Sequence, residues 1–210
     1  MKVLLINGSS RRTGCTFTAL SEVAKALELN GIETEIIQTG ANAIRDCVGC
    51  GACKGNDNDN GCVFKDDIVN EVIEKAKSAD GFVFGSPVYY AHPSGRILSL
   101  MDRLFYAGGK HFAFKPAAAI VSARRAGTTA SIDAITKHFT INQMPVVSSN
   151  YWNMVHGNSP DDVMQDLEGL QIMRVLGINM AWLLKCIEAG KNAGIEHPQT
   201  EKKIWTNFIH

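Results

Sequence analysis

The sequence predicts an α/β domain built on a parallel sheet, and three observations lead to this fold class. Short apolar runs without alternation indicate strands that are buried on both faces, and the first of them is Val3–Ile6. Segments with apolar residues at helical spacing separate these runs, as in the stretch from Phe17 to Leu27. Five strands alternate with helices in this way, and parallel neighbours need crossover connections. The sheet is therefore expected to be parallel and covered by helices on both faces.

The elements follow from local pattern in chain order. The predicted strands are Val3–Ile6, Ile32–Ile37, Gly81–Gly85, Ala117–Val121 and Met144–Ser148. The predicted helices are one that begins near Phe17, then Ile68–Ser78, Gly95–Tyr106, one that ends near Phe139, and the long apolar segment Asp161–Ala189. No repeat or linker divides the chain, so we expect a single domain over residues 1–210 with a cysteine-rich loop at 46–63.

Composition narrows the class of protein. The 210 residues are 45% hydrophobic and 20% charged with a formal net charge of +0, which is typical of one ordinary soluble domain. Balanced charge argues against a nucleic-acid or membrane-surface partner. We see no secretory signal and expect no apolar run of membrane-spanning length. The prediction is a cytoplasmic protein whose six cysteines are reduced, metal-bound or redox-active.

The turn after the first strand, Gly8–Thr16, has the features of a phosphate site. It is rich in hydroxyls, and the helix that follows presents free N–H groups and the positive end of its dipole. A Walker loop is excluded because Cys15 stands where its lysine is required, and a dinucleotide fingerprint is excluded because Ser10 replaces a glycine. A single terminal phosphomonoester remains as the ligand, and an ordinary capped helix is the structural alternative.

Two more loops are expected at the same edge of the sheet, because ligands of such sheets lie beyond the carboxyl ends of the strands. The loop Ser86–Gly95 carries Tyr89 and Tyr90, whose rings suit contact with a flat ring system. The loop Ser122–Thr129 is rich in small residues, which allows the backbone to approach a ligand closely. One loop for a phosphate and two for a planar ring predict FMN.

The motifs GSSRRTGCT and GSPVYYAHPSGRILSLMDR, followed by a small-residue loop, resemble the flavodoxin-like NAD(P)H-dependent FMN reductase superfamily from Lys2 to about Met154. The resemblance implies a doubly wound five-stranded sheet of order 2-1-3-4-5 in a three-layer sandwich. It assigns FMN to Ser9, Arg11, Cys15, Thr16, Pro87, Val88, Tyr89, Tyr90 and Gly127. Cys15 replaces the asparagine that is common in the family. The flavin carries the redox chemistry, so no side chain is expected to be catalytic.

Four cysteines form the second informative pattern. Cys47, Cys50 and Cys53 are spaced C-x2-C-x2-C on a glycine-rich loop, and Cys62 follows after eight residues. Structural zinc sites more often use two separated C-x2-C pairs, so the spacing favours an iron–sulfur site over zinc. It resembles the iron–sulfur flavoproteins, a branch of the same superfamily in which a [4Fe–4S] cluster passes electrons to FMN, although the insert Asn56–Asn60 lengthens the last spacing. A loop of reduced cysteines in a cluster-free reductase is the alternative.

The remaining notable residues receive structural interpretations. We expect His92 to be a loop histidine rather than a proton donor, and Arg124 and Arg125 to be solvated rather than to stabilise an anionic reduced flavin. Asp102 and Arg103 are expected to form a structural pair at a helix end. Cys186 is expected to be a buried core thiol, and Trp152 either covers the mouth of the site or lies at a subunit contact.

The predicted function is an FMN-binding oxidoreductase that passes electrons to a small acceptor such as a flavin, a quinone or an oxygen species. The cluster, if present, feeds the flavin, and the donor is NAD(P)H or a ferredoxin-like protein. No nucleic-acid or membrane partner is expected, and the resemblance implies a homodimer or homotetramer. The alternatives are a cluster-free NAD(P)H-dependent FMN or quinone reductase and a non-enzymatic sensor that holds a metal or a flavin.

Overall fold

A computed structural model describes residues 1–54, 61–201, 204 and 206. The strands are β1 (Lys2–Asn7), β2 (Glu33–Gln38), β3 (Gly81–Tyr89), β4 (His92–Pro93), β5 (Ala117–Ala123) and β6 (Met154–His156). The helices are α1 (Cys15–Leu29), α2 (Val69–Ser78), α3 (Gly95–Gly108), α4 (Thr128–Ile141), α5 (Pro160–Gln165) and α6 (Leu167–Asn192), with a short 3₁₀ helix at Gly109–His111. The predicted insert Asn56–Asn60 lies outside the described residues.

The five main strands are parallel and lie in the order β2-β1-β3-β5-β6, while β4 pairs antiparallel with the end of β3. Without β4 this is the predicted order 2-1-3-4-5. Alternate residues of β1 face opposite sides, so Leu4 and Ile6 join a core with α2, α3 and α4. Val3 and Leu5 join a second core with α1, α5 and α6. The predicted three-layer sandwich is confirmed.

The fifth strand is displaced from its predicted position. The predicted segment Met144–Ser148 makes only an isolated bridge between Val146 and Ala117, and regular pairing resumes at β6. Between these points the outer chain advances from Val146 to Met154 while β5 advances only from Ala117 to Val121. The surplus residues leave the sheet as a bulge, which is tolerated at an edge. Ser149 Oγ donates to the Ile172 carbonyl at 2.7 Å and anchors this bulge to α6.

The third strand is longer than the prediction, which ended it at Gly85. It continues to Tyr89, and then the chain reverses through Tyr90 and Ala91 to pair with β4. Both turn residues have positive φ, 50° and 61°, which is the combination that the type I′ turn of a two-residue hairpin requires. The prediction missed this hairpin because neither residue is the glycine or asparagine that usually marks it.

Helix α6 has the length and apolar composition of a membrane span, contrary to the expectation for apolar runs in this sequence. In the fold, 44% of its most apolar stretch is buried inside the domain. Cys186, which the sequence predicted to be a core thiol, is exposed on this helix. That prediction was wrong because Cys186 lies on the outer face of a helix that buries only its inner face.

Gly177 sets the distance between α6 and α1. A Cβ at this position would lie 2.6 Å from the Ala26 Cβ and 2.8 Å from the Val23 carbonyl oxygen. Real Cβ atoms do not approach other atoms so closely. The neighbouring atoms belong to α1, whose backbone cannot shift at one residue without moving the helix. The two helices therefore pack at a separation that only glycine permits.

We expect Gly177→Ala to lower the free energy of unfolding by about 1–3 kcal/mol, because overpacking pushes the helices apart. The matched control is Gly190→Ala on the same helix, whose Cβ would have no neighbour closer than 3.8 Å. This control should be neutral or stabilising by up to about 1 kcal/mol, the helix propensity difference. Urea denaturation followed by circular dichroism measures both, and equal stability of the two variants would contradict the packing argument.

Candidate functional site

The first two predicted loops are joined by hydrogen bonds at the carboxyl edge of the sheet. The Gly8 amide donates to the Gly85 carbonyl at 2.8 Å, and Ser94 Oγ donates to the Gly8 carbonyl at 3.0 Å. The Ser94 amide in turn donates to Ser86 Oγ at 2.9 Å. The turn after β1 and the loop after β3 therefore form one continuous surface.

The third loop meets both of the others. The buried hydroxyls of Thr16 and Ser122 lie 2.8 Å apart and join the start of α1 to the end of β5. Gly127, with φ of 91°, packs so closely on the hairpin that a Cβ there would lie 2.4 Å from the Ala91 Cα and 3.0 Å from a Val88 methyl group. The structure thus brings together the three loops that the sequence assigned to one ligand.

The turn at the start of α1 has the character of an anion site. Gly14 is the N-cap, and no side chain among the described residues caps the helix, so its first amides remain available. A Cβ on Gly14 would lie 3.0 Å from the Arg11 Cβ and 3.5 Å from its Cδ, so the aliphatic part of Arg11 packs against the residue that caps the helix. Ser9 Oγ accepts from the Arg11 amide at 3.1 Å and keeps its own proton to donate. The donor set fits a phosphate group.

The side chains of Asn7 and Gln38, at the ends of β1 and β2, form hydrogen bonds that support this turn. Neither residue was predicted as a site residue. The Asn7 side chain is fully buried; its amide nitrogen donates to Gln38 Oε1 and its oxygen accepts from the Ser9 amide at 3.2 Å. Gln38 Nε2 donates to the Ser9 carbonyl at 2.7 Å. The available signal was a polar residue at the end of each of two neighbouring strands.

The loop predicted to line a planar ring is the β3–β4 hairpin. Pro87 and Val88 are half-buried, Tyr89 is 52% exposed and Tyr90 is fully exposed. His92 is exposed in β4. The hairpin therefore presents an apolar base with two aromatic rings at its rim, a surface that can contact a flat ring.

The end of β6 and the residue that follows it also reach this edge. The half-buried Cys15 thiol donates to the Gly157 carbonyl at 3.7 Å, and His156 Nε2 lies 3.1 Å from the Arg125 carbonyl oxygen. Burial raises the pKa of the Cys15 thiol, so this side chain is a neutral donor near neutral pH. The side chains of Arg124 and Arg125 are exposed, as expected.

The four cysteines of the predicted metal site line one cavity of about 350 Å³, formed by their loop and α3. Cys62 is buried, Cys47 and Cys53 are half-buried, and Cys50 is exposed. Burial raises the pKa of the Cys53 thiol, and the neighbouring thiols of Cys62, Cys47 and Cys50 raise it further. In the described part of the chain, no three His, Cys, Asp or Glu side chains are close enough to hold a single metal ion. The donor set fits a larger thiolate-bound group better than one ion.

Asp102 and Arg103 do not form the predicted pair at a helix end. Both lie within α3, and the exposed Asp102 contacts His138 Nε2 at 3.1 Å. Arg103 is buried and forms a salt bridge with Asp67. The prediction failed because adjacent residues of a helix point in different directions, here toward α4 and toward the cysteine loop.

Helix α3 connects the two sites. Ser94 caps its start at the three loops, while Arg103 on the same helix lies at the cysteine cavity. At 1.5 Å per residue these positions are about 14 Å apart along the axis. Arg96 also donates to the carbonyls of Ala41 and Asn42, which fastens the segment after β2 to this helix.

Comparison with known proteins finds relatives that are flavin-dependent reductases and iron–sulfur flavoproteins. The sequence profile of the family described as NADPH-dependent FMN reductase matches residues 1–159. An iron–sulfur flavoprotein of Methanocaldococcus jannaschii is 35% identical over 199 residues, which cover 90% of this chain and 100% of that protein. An iron–sulfur flavoprotein of Methanosarcina thermophila is 26% identical, covering 91% of this chain and 100% of its own.

Solved structures show the same fold at lower identity. RosB, described with bound 8-demethyl-8-formylriboflavin-5′-phosphate, aligns with a TM-score of 0.68 and 16% identity over 100% of this chain and 92% of its own. A flavodoxin from the domain Archaea aligns with a TM-score of 0.59 and 16% identity, covering 88% of this chain and 99% of its own. At such identities the likeness concerns the fold, which is flavodoxin-like.

We expect Gly127→Ala to weaken FMN binding at least tenfold, or about 1.4 kcal/mol, because the new methyl group would push the third loop away from the hairpin. The control is Gly31→Ala, which has a similar positive φ of 80° but no atom within 4 Å of the added Cβ. It should cost about 1 kcal/mol of stability and leave FMN affinity unchanged. Titration of flavin-free protein, followed by quenching of FMN fluorescence, measures both. Unchanged FMN affinity in Gly127→Ala would contradict the assignment of this edge.

Proposed function

Because this chain belongs to the NADPH-dependent FMN reductase family, in its iron–sulfur flavoprotein branch, we propose that it moves electrons between a cysteine-bound [4Fe–4S] cluster and FMN. Flavin-based oxidoreduction is the established chemistry of the family, and the chain is an FMN-binding oxidoreductase. What we propose is the set of residues that bind FMN, the cluster with its cysteine ligands, and the electron donor and acceptor. The observation that carries it is the placement of the three joined loops and the four-thiol cavity along one helix, α3.

The FMN phosphate is proposed to lie at the start of α1, where free amides and Arg11 supply positive potential. Ser9 donates from the turn, while Thr16 supports the turn through Ser122. When bound, FMN supplies hydride and single-electron transfer. Pro87–Tyr90 and the Gly127 backbone orient the ring and keep water from one side of it.

The four ligands proposed for the cluster are Cys47, Cys50, Cys53 and Cys62, because all four line one cavity. A cluster held there supplies one-electron steps. Cys50 is exposed at this site, so a ferredoxin-like donor can approach without opening the domain. Tyr89 and Tyr90 are exposed beside the proposed flavin ring, so a small acceptor such as a flavin, a quinone or an oxygen species can approach the ring there.

A cluster-free reductase that takes hydride from NAD(P)H is the second candidate. The family description names NADPH, which favours a nicotinamide as the electron donor. It uses the same FMN edge and differs only in the donor. A non-enzymatic sensor is set aside because the family is one of oxidoreductases.

The assembly is part of the proposal. We expect residues 1–210 to act as one domain within a homodimer or homotetramer in the cytoplasm. Exposed Tyr151 and Trp152 on the bulge at the sheet edge, with Ile178 and Trp182 on the outer face of α6, offer an apolar contact surface. All six cysteines are unpaired, which suits a reducing compartment.

The direct experiment measures iron, sulfide and the visible spectrum of protein reconstituted without oxygen. We expect four irons and four sulfides per chain with one FMN, and loss of iron, sulfide and the broad brown absorption in Cys50→Ser. The control Cys186→Ser removes an exposed thiol on α6 and should keep both cofactors. Stopped-flow mixing with reduced ferredoxin, NADPH or NADH then identifies the donor. Protein with FMN but no iron or sulfide, reduced directly by NADPH, would refute the cluster and establish the second candidate.

The phosphate assignment is tested with Arg11→Gln. This variant should bind FMN about fivefold more weakly, because an exposed charge contact contributes up to about 1 kcal/mol. Riboflavin, which lacks the phosphate, should bind both proteins equally. Arg12→Gln is the matched control, since it removes an adjacent exposed arginine and keeps the backbone carbonyl that accepts from Asn7. Equal losses for FMN and riboflavin would show that Arg11 does not contact the phosphate.

A further inference from the structure

Arg103 is 1% exposed, which is unusual for a side chain that always carries a charge. Its charge is balanced by Asp67, also nearly buried, in a direct salt bridge. Two further hydrogen bonds run from the guanidinium to the ends of the cysteine loop. Arg103 Nη1 donates to the Arg45 carbonyl at 3.1 Å, and Nη2 donates to the Phe64 carbonyl at 3.2 Å. The guanidinium group therefore holds the loop on both sides of the four cysteines.

The Nε–H of Arg103 points at a sulfur. Its distance to Cys62 Sγ is 3.3 Å, and this thiol is the most buried of the four. The carbonyl contacts fix the plane of the guanidinium, and with it the direction of the Nε–H bond. A residue needed only to fasten the loop would not require a donor aimed at the thiol. Arg96, two turns earlier on α3, donates to the backbone carbonyls of Ala41 and Asn42, and no sulfur contact is found for it in the described part of the chain.

We propose that Arg103 positions Cys62 and raises the reduction potential of the cluster, an inference that rests on the proposed function. Reduction adds one electron, taken from the donor, and no bond is formed or broken. The added negative charge spreads onto the cysteine sulfurs, where a fixed N–H donor stabilises the reduced form more than the oxidised form. Hydrogen bonds to sulfur are among the features that set the potentials of iron–sulfur proteins.

The test is the midpoint potential of the cluster in Arg103→Lys, measured by anaerobic redox titration with electron paramagnetic resonance. Lysine keeps the charge and can pair with Asp67, but it lacks the planar set of donors that reaches the sulfur and both carbonyls. We expect a roughly tenfold lower equilibrium constant for one-electron reduction, a shift of about 59 mV to lower potential. The control Arg96→Lys should leave the potential unchanged.

A second variant, Asp67→Asn, predicts a shift of opposite sign. It leaves the Arg103 charge uncompensated beside the sulfurs, so reduction should become easier by a similar factor. Asparagine keeps the oxygen that accepts from the Val69 amide at 3.1 Å, which protects the start of α2. Opposite shifts separate a direct effect on the cluster from general damage to the fold, and this variant remains informative if Arg103→Lys does not fold.

Each other outcome counts against the inference. Unchanged potentials in both Arg103→Lys and Asp67→Asn would refute it, as would a loss of iron from Arg103→Lys with the remaining clusters at the wild-type potential. Wild-type protein that binds FMN but takes up no iron or sulfide would refute the proposed cluster itself, and that failure is visible before any variant is made.

Discussion

The arrangement of the site depends on the hydrogen bonds of one residue, Ser94. Its oxygen accepts from the Ile97 amide and so caps α3, while its hydroxyl donates to the Gly8 carbonyl in the turn after β1. Its amide donates to Ser86 Oγ in the neighbouring strand. These groups are buried, so each would be costly to leave without a partner. One serine thereby fixes the phosphate turn, the ring-binding hairpin and the helix that leads to the cysteines in a single geometry.

The sequence was sufficient for the sheet because buried strands and amphipathic helices leave strong local patterns. The parallel sheet with helices on both faces followed from these patterns, whereas the strand order came from the family resemblance. The fifth strand was misplaced because an edge strand is held by pairing with one neighbour, and a bulge between Val146 and Met154 leaves no mark in apolar spacing. The β3–β4 hairpin was missed for a related reason: Tyr90 and Ala91 adopt a backbone that their residue types do not indicate.

The candidate site divides in the same way. The loops could be located because the carboxyl edge of a parallel sheet is a known place for ligands, and the cysteines because their spacing is distinctive. The residues that support these groups could not be found, since their partners are remote in sequence. Asn7 reaches Gln38 across 31 positions and Arg103 reaches Cys62 across 41. Spacing identifies the residue types that do chemistry, but tertiary packing decides which polar side chain lies behind them.

The proposed ring-binding edge and the thiol cavity both contact helix α3, one at its start and the other further along it. For the proposed electron path this matters because tunnelling rates fall steeply with separation, and a helix holds that separation far more constant than a loop does. Arg103 lies on the same helix and donates to Cys62 Sγ, so α3 also fixes the position of the fourth thiol relative to the ring-binding edge.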